Sequence, residues 1–133
     1  MDTTPRRDPD RSRRGADDPD WHPLQHDFGL TAVGINVYRA REAGDVLIAR
    51  HDETAAGHEE LYYLADGRAR FVLDDEEHEL DAGTTVVVRN SAVVREAVAL
   101  EPGTTVLAVG GRPDPAFRSS WQAHHFEDVP RVE

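Results

Sequence analysis

His58, Glu60 and Tyr62 stand at alternate positions in Gly-His-Glu-Glu-Leu-Tyr-Tyr-Leu-Ala-Asp-Gly, the stretch from Gly57 to Gly67. If the stretch is a strand, the three share one face with Leu64, while Leu61 and Tyr63 take the other. An imidazole and a carboxylate on one face can serve a bound compound as general acid and base, or can share a metal ion. His51 and Glu53 repeat the same spacing shortly before. Together His51, Glu53, His58 and Glu60 offer nitrogen and oxygen donors suited to Mn²⁺, Fe²⁺, Ni²⁺ or Zn²⁺, with positions left for water or ligand. With no metal, His58 is a pocket-wall donor beside a carboxylate and His51 a solvated strand end. The sequence leaves both readings open.

The elements that must hold these groups are strands. Thr31 to Tyr38, rich in β-branched residues, Val46 to His51, the central stretch, Ala69 to Leu73, His78 to Leu80, Thr84 to Val88, Val93 to Leu100 and Thr104 to Val109 are short strand-like runs. Gly, Asp and Pro punctuate them, and no convincing helix interrupts them, which predicts an antiparallel sandwich or barrel. Asp66-Gly67 suits positive φ and reads as a tight hairpin turn into Ala69 to Leu73. Residues 1–20 mix five arginines with six aspartates and three prolines and carry almost nothing apolar, so they are expected to be a disordered tail. Trp21, Leu24 and Phe28 can dock outside a sheet, and Phe117, Trp121 and Phe126 can cover an open end. Residues 21–133 are then one domain, with its core at 44–109 and a covering segment at 110–133.

Composition removes several classes of function. The chain of 133 residues has no cysteine, so thiolate metal sites and cysteine nucleophiles are excluded, and its 15 basic residues are all arginine, which excludes a catalytic lysine. A net charge of −11 opposes nucleic-acid binding. No apolar run approaches the length of a membrane span, and the expected setting is bacterial and cytoplasmic. His124-His125, His78 and the acidic run Asp74 to Glu77 read as solvated surface.

Glu60, six residues, Gly67, together with the wording Glu-Glu-Leu-Tyr-Tyr-Leu and a glycine at Gly83, is similar to the paired motifs of small single-domain cupins. That resemblance implies an all-β double-stranded β-helix, or jelly-roll barrel, around an interior pocket. It also locates departures. Counting back from Glu60, the family's two histidines fall near Glu53, Thr54, Ala55 and Ala56, and counting on from Gly83 puts Val94 at the third histidine. A longer loop would restore His51 and Glu53 to the missing places. Strict counting faces Val94, Glu96 and Val98 inward, and a shift of one residue instead turns Arg95 into the pocket, where its guanidinium would pair with Glu60.

Lacking the family's histidines, the chain is expected to be a small-molecule-binding cupin whose organic ligand meets His58, Glu60, Tyr62 and either Arg95 or Glu96. The alternative is a cupin enzyme of oxygenase, isomerase or cyclase type, with Glu60 and His58 as its acid and base. The resemblance also implies a homodimer paired through sheet edges, with Thr31 to Tyr38 as an apolar strand at the N-terminal edge.

Overall fold

A computed structural model describes residues 19–132. The expectation for the charged tail lies almost wholly outside these residues. Nine strands form two antiparallel sheets: β1 (Asp20–Pro23), β2 (Gly34–Arg39), β3 (Val46–His51), β4 (Glu59–Asp66), β5 (Arg68–Leu73), β6 (Glu76–Asp81), β7 (Thr85–Val88), β8 (Arg95–Ala99) and β9 (Thr105–Gly111). The first sheet runs β1-β2-β9-β4-β7 and the second β3-β8-β5-β6. A five-residue helix, α1 (Leu24–Phe28), joins β1 to β2, and a 3-10 turn spans Ala123–Phe126. This is the all-β jelly roll that the resemblance implies, built from the antiparallel strands that the spacing predicts.

Alternation decides the core. Tyr62 and Leu64 of β4, Phe71 of β5, Ala97 and Ala99 of β8, and Val106 and Ala108 of β9 all point between the sheets and are buried. The rings of Tyr62 and Phe71 meet across the two sheets at 5.7 Å between centroids. Outside, the sheets differ. The second carries charge, with Arg50 to Glu96 at 3.9 Å and Arg70 to Glu79 at 3.5 Å. The first is apolar in register, Ile35, Val109, Leu61 and Val87 standing side by side on four neighbouring strands.

Four expectations change. The barrel begins at Asp20 and not at Gly44, because β1 and β2 both belong to the first sheet. The strand around Thr31 to Tyr38 is therefore not an edge, since β1 pairs with its outer side. Asp66-Gly67 is not a hairpin turn: β4 and β5 lie in different sheets, so the pair carries the chain across the barrel. Gly67 has φ +77, and a Cβ there would lie 2.8 Å from the Cα of Thr104. Thr104 is fully buried, its hydroxyl 3.0 Å from the Arg68 carbonyl and 2.7 Å from that of Glu101. Lastly, Phe117, Trp121 and Phe126 cover nothing, being 72%, 63% and 48% exposed.

Candidate functional site

β4, an inner strand of the first sheet between β9 and β7, supplies the centre of the site. Its inward positions Glu60 and Tyr62 sit opposite Gly110 and Ala108 of β9, two small residues that leave room above them. A Cβ on Gly110 would stand only 3.0 Å from Cγ of Glu60. The Tyr62 hydroxyl donates to Oε1 of Glu60 at 2.6 Å, and Nη1 of Arg95 donates to the same oxygen at 2.8 Å.

Arg95 opens β8 and is fully buried. Its Nη2 donates to the Asn90 carbonyl at 3.4 Å, while its Nε has no partner among the described residues. A guanidinium withdrawn this far from water needs a facing carboxylate, and Glu60 provides one. The register question is thereby answered in favour of Arg95. Pairing with β5 sets Ala97 against Phe71 and Ala99 against Ala69, so Arg95, Ala97 and Ala99 face inward. Glu96 consequently faces outward beside Arg50 and does not belong to the site. Counting from Gly83 failed because the turn between β7 and β8 does not preserve alternation.

The third part comes from the end of β3 and the loop after it. Register shifts in the β3–β8 pairing interrupt alternation, and His51 lies opposite Arg95. Its Nδ1 is 2.7 Å from the Ala49 carbonyl, an oxygen that can only accept, so Nδ1 carries the proton and Nε2 faces the carboxylates. Nε2 lies 3.0 Å from Oε1 of Glu53 and 3.6 Å from Oε1 of Glu60. Asp52 shapes the intervening loop by accepting the Thr54 hydroxyl at 2.8 Å and the Thr54 amide at 3.1 Å, and these bonds hold its carboxyl below the ordinary value.

His51, Glu53 and Glu60 can bring one ligand atom each within 4.8 Å of one another, a group that could hold a metal ion. The donor set suits Mn²⁺, Fe²⁺, Ni²⁺ or Zn²⁺. The tautomer supports the fit as well, because a lone pair on Nε2 facing two carboxylates calls for a proton or a cation between them. Arg95 and Tyr62 already occupy Oε1 of Glu60, which leaves Oε2 as its free donor.

His58 is not in this group. β4 begins at Glu59, so His58 lies between the turn that ends at Gly57 and the strand, where the alternation argument no longer applies. Sequence reasoning also missed three residues. A cavity of about 430 Å³ opens beside the cluster, lined by Glu60, His51, Glu53 and Tyr62, by apolar Leu47, Ile48 and Ala108, and by Trp21, Asn36 and Tyr38. Asn36 accepts the indole N–H of Trp21 at 3.1 Å. For Asn36 and Tyr38 the signal was present in β2, where they alternate with Ile35 and Val37 and a lone amide in an apolar strand marks an inward polar position.

Buried phenols are hard to ionise. Burial, reinforced by the bond to Glu60, raises the Tyr62 phenol above its ordinary 10.0. A phenol with a raised folded-state value contributes stability that is whole below about pH 10 and is lost as pH climbs beyond it, by up to about 1.4 kcal/mol per pH unit. Urea unfolding between neutral pH and pH 11 should show this alkaline loss in the wild type and a flatter profile in Tyr62→Phe, and identical profiles would refute the assignment.

Comparison with solved structures gives the architecture a name. A cupin protein from Bacteroides fragilis superposes with a TM-score of 0.65 at 18% identity, covering 90% of this chain and 95% of its own. The chain has the cupin fold. An RmlC-like cupin from Desulfovibrio desulfuricans gives a TM-score of 0.60 at 17% identity, over 77% of this chain and 90% of that one. A cupin-superfamily sugar phosphate isomerase from Silicibacter pomeroyi gives 0.56 at 21% identity over 70% of this chain, which spans 59% of that larger cupin. No family model and no curated protein matches the sequence. Among the described residues, no helix of this cupin barrel is long and apolar enough to cross a membrane.

Proposed function

We propose that this cupin binds a small organic ligand in the cavity beside His51, Glu53 and Glu60, and that these three hold a divalent cation against which the ligand seats. What carries the proposal is the aim of His51: with Nδ1 fixed on the Ala49 carbonyl, Nε2 points at two carboxylates at the polar end of an otherwise largely apolar and aromatic cavity. With His51 neutral, Arg95 offsets one of the two carboxylates and leaves one net negative charge. A divalent cation would reverse that sign, and the loaded site would then favour a ligand bearing a carboxylate, an enolate or several hydroxyls.

The cation would supply Lewis acidity and open coordination positions. The chain's own residues divide the remaining work. Arg95 and Tyr62 hold Glu60 in place, the Ala49 carbonyl fixes the His51 tautomer, and Trp21, Tyr38 and Asn36 shape the far wall. A second reading, a cupin enzyme working by acid–base chemistry, draws on Glu53 and His51, which lie 3.0 Å apart and both line the cavity.

Metal analysis of protein purified without a histidine tag, joined to thermal unfolding with added Mn²⁺, Fe²⁺, Ni²⁺ or Zn²⁺, tests the proposal. One equivalent of metal is expected, with a stabilisation of about 2.7 kcal/mol once the free ion reaches a hundred times its Kd. His51→Ala and Glu53→Gln should each abolish that gain. A metal-free protein whose melting temperature none of the four ions raises would overturn the cation.

A further inference from the structure

The strand register puts one amide at the far end of the cavity and leaves open floor before it. Across β4, β9 and β2, Glu60 stands opposite Gly110 and Gly110 opposite Gly34, while Tyr62 stands opposite Ala108 and Ala108 opposite Asn36. Gly34, Gly110 and Ala108 carry one methyl group among them, so the floor from Glu60 to Asn36 is nearly bare backbone across two strand spacings, about 10 Å. Asn36 is held from behind. The indole N–H of Trp21 donates to its Oδ1 at 3.1 Å, and Nε2 of Gln25 approaches the same oxygen at 3.5 Å. Gln25 is itself oriented by the Ile35 amide, which donates to Oε1 at 2.9 Å. An indole N–H can only donate, so the Asn36 atom facing it is the oxygen, and the Nδ2 hydrogens are what this residue has left to offer. No described residue accepts from Nδ2, and Asn36 lines the cavity. Pro19, Trp21 and Tyr38, beside it on the far wall, carry no charge.

We propose that Asn36 is the specificity-determining residue of this cavity, donating through Nδ2 to an uncharged acceptor at the end of the ligand remote from the cation. The assignment rests on the cation and ligand seat proposed above and adds a ligand class to them: a planar aromatic or unsaturated compound with oxygen donors for the cation at one end and a carbonyl, ether or ring-nitrogen acceptor at the other. The bare floor admits a flat ring, and Trp21 and Tyr38 offer it aromatic surface. A second anionic group at the far end would be desolvated there with no cation to meet it. A donor at that end would face the amide hydrogens and leave both sides unpaired, which is the source of the selectivity.

Calorimetric titration of the full chain, first with Mn²⁺ and then with three matched probes, tests the assignment. Salicylate is the parent, para-methoxysalicylate adds an oxygen that only accepts, and para-aminosalicylate adds a group that donates. The loaded wild type should bind the methoxy probe about tenfold more tightly than the amino probe. Asn36→Asp keeps the shape and the oxygen facing Trp21 but replaces the donor with an acceptor, so it should reverse that order. Trp21→Phe frees the amide to turn and should bring the two affinities within about threefold, which serves even if Asn36→Asp fails to fold, circular dichroism confirming the barrel in each case. A wild type that binds both substituted probes equally overturns the role of Asn36, as does an order unchanged in Asn36→Asp, and discrimination that survives Trp21→Phe overturns the fixed amide. A protein that takes up Mn²⁺ but none of the probes overturns the ligand class and leaves the cation standing. One that takes up no Mn²⁺ fails before any probe is added, and overturns the cation and this ligand class together.

Discussion

Glu60→Gln should lower the free energy of unfolding by about 3 kcal/mol, because it leaves the fully buried Arg95 guanidinium without a countercharge. The amide keeps most of the packing, and its oxygen can still accept from both Tyr62 and Arg95, so the loss reports charge more than shape. Two roles meet at this residue, and the same variant should also lose the divalent cation. A cycle with Arg95→Met separates the roles. Removing the Arg95 guanidinium as well as the carboxylate should recover part of the stability, since a missing pair costs less than a broken one. Urea unfolding measures all four proteins, and additive losses would show that the 2.8 Å contact carries no coupling.

The second large effect lies away from the cavity. Gly67→Ala combines a positive φ with a methyl group driven into Thr104, and should cost about 3 kcal/mol. Gly83→Ala is the control. Its φ is +92 but a Cβ there meets nothing within 4 Å, so only the backbone term remains, about 1 kcal/mol. Equal losses in the two variants would mean that the crossing between sheets tolerates a side chain at Gly67, against the close packing on Thr104.

Which parts of this were legible beforehand follows from the range of the forces involved. Most strands from β2 to β9 announce themselves locally, through β-branched residues in β2, β3, β7 and β9, alternation in β4, and the turn residues between them. β1 does not, because Asp-Trp-His-Pro has no alternation, and its proline is tolerated only because the strand is an edge. Asp66-Gly67 declares a backbone angle but not which strands pair, and pairing is settled by contacts distant in sequence. The same limit applies to Arg95, whose direction depends on Phe71 standing opposite Ala97. Glu60 and Tyr62 were readable because both lie within the regularly paired part of β4. His58 misled because it lies one residue outside.

The ion pair at the centre of the site has a mechanical consequence. Glu60 and Tyr62 ride on the first sheet, while Arg95 and His51 ride on the second, so the Arg95–Glu60 bond is a tie rod between the two walls of the barrel. The spacing of Glu60 and Tyr62 is set by a single strand and barely responds when the walls breathe. The 3.6 Å gap from His51 to Glu60 spans the seam and changes with every such motion. Stiffness at this one point therefore sets how sharply the grip of the cluster is tuned, and a weakened tie would act as a loosened joint.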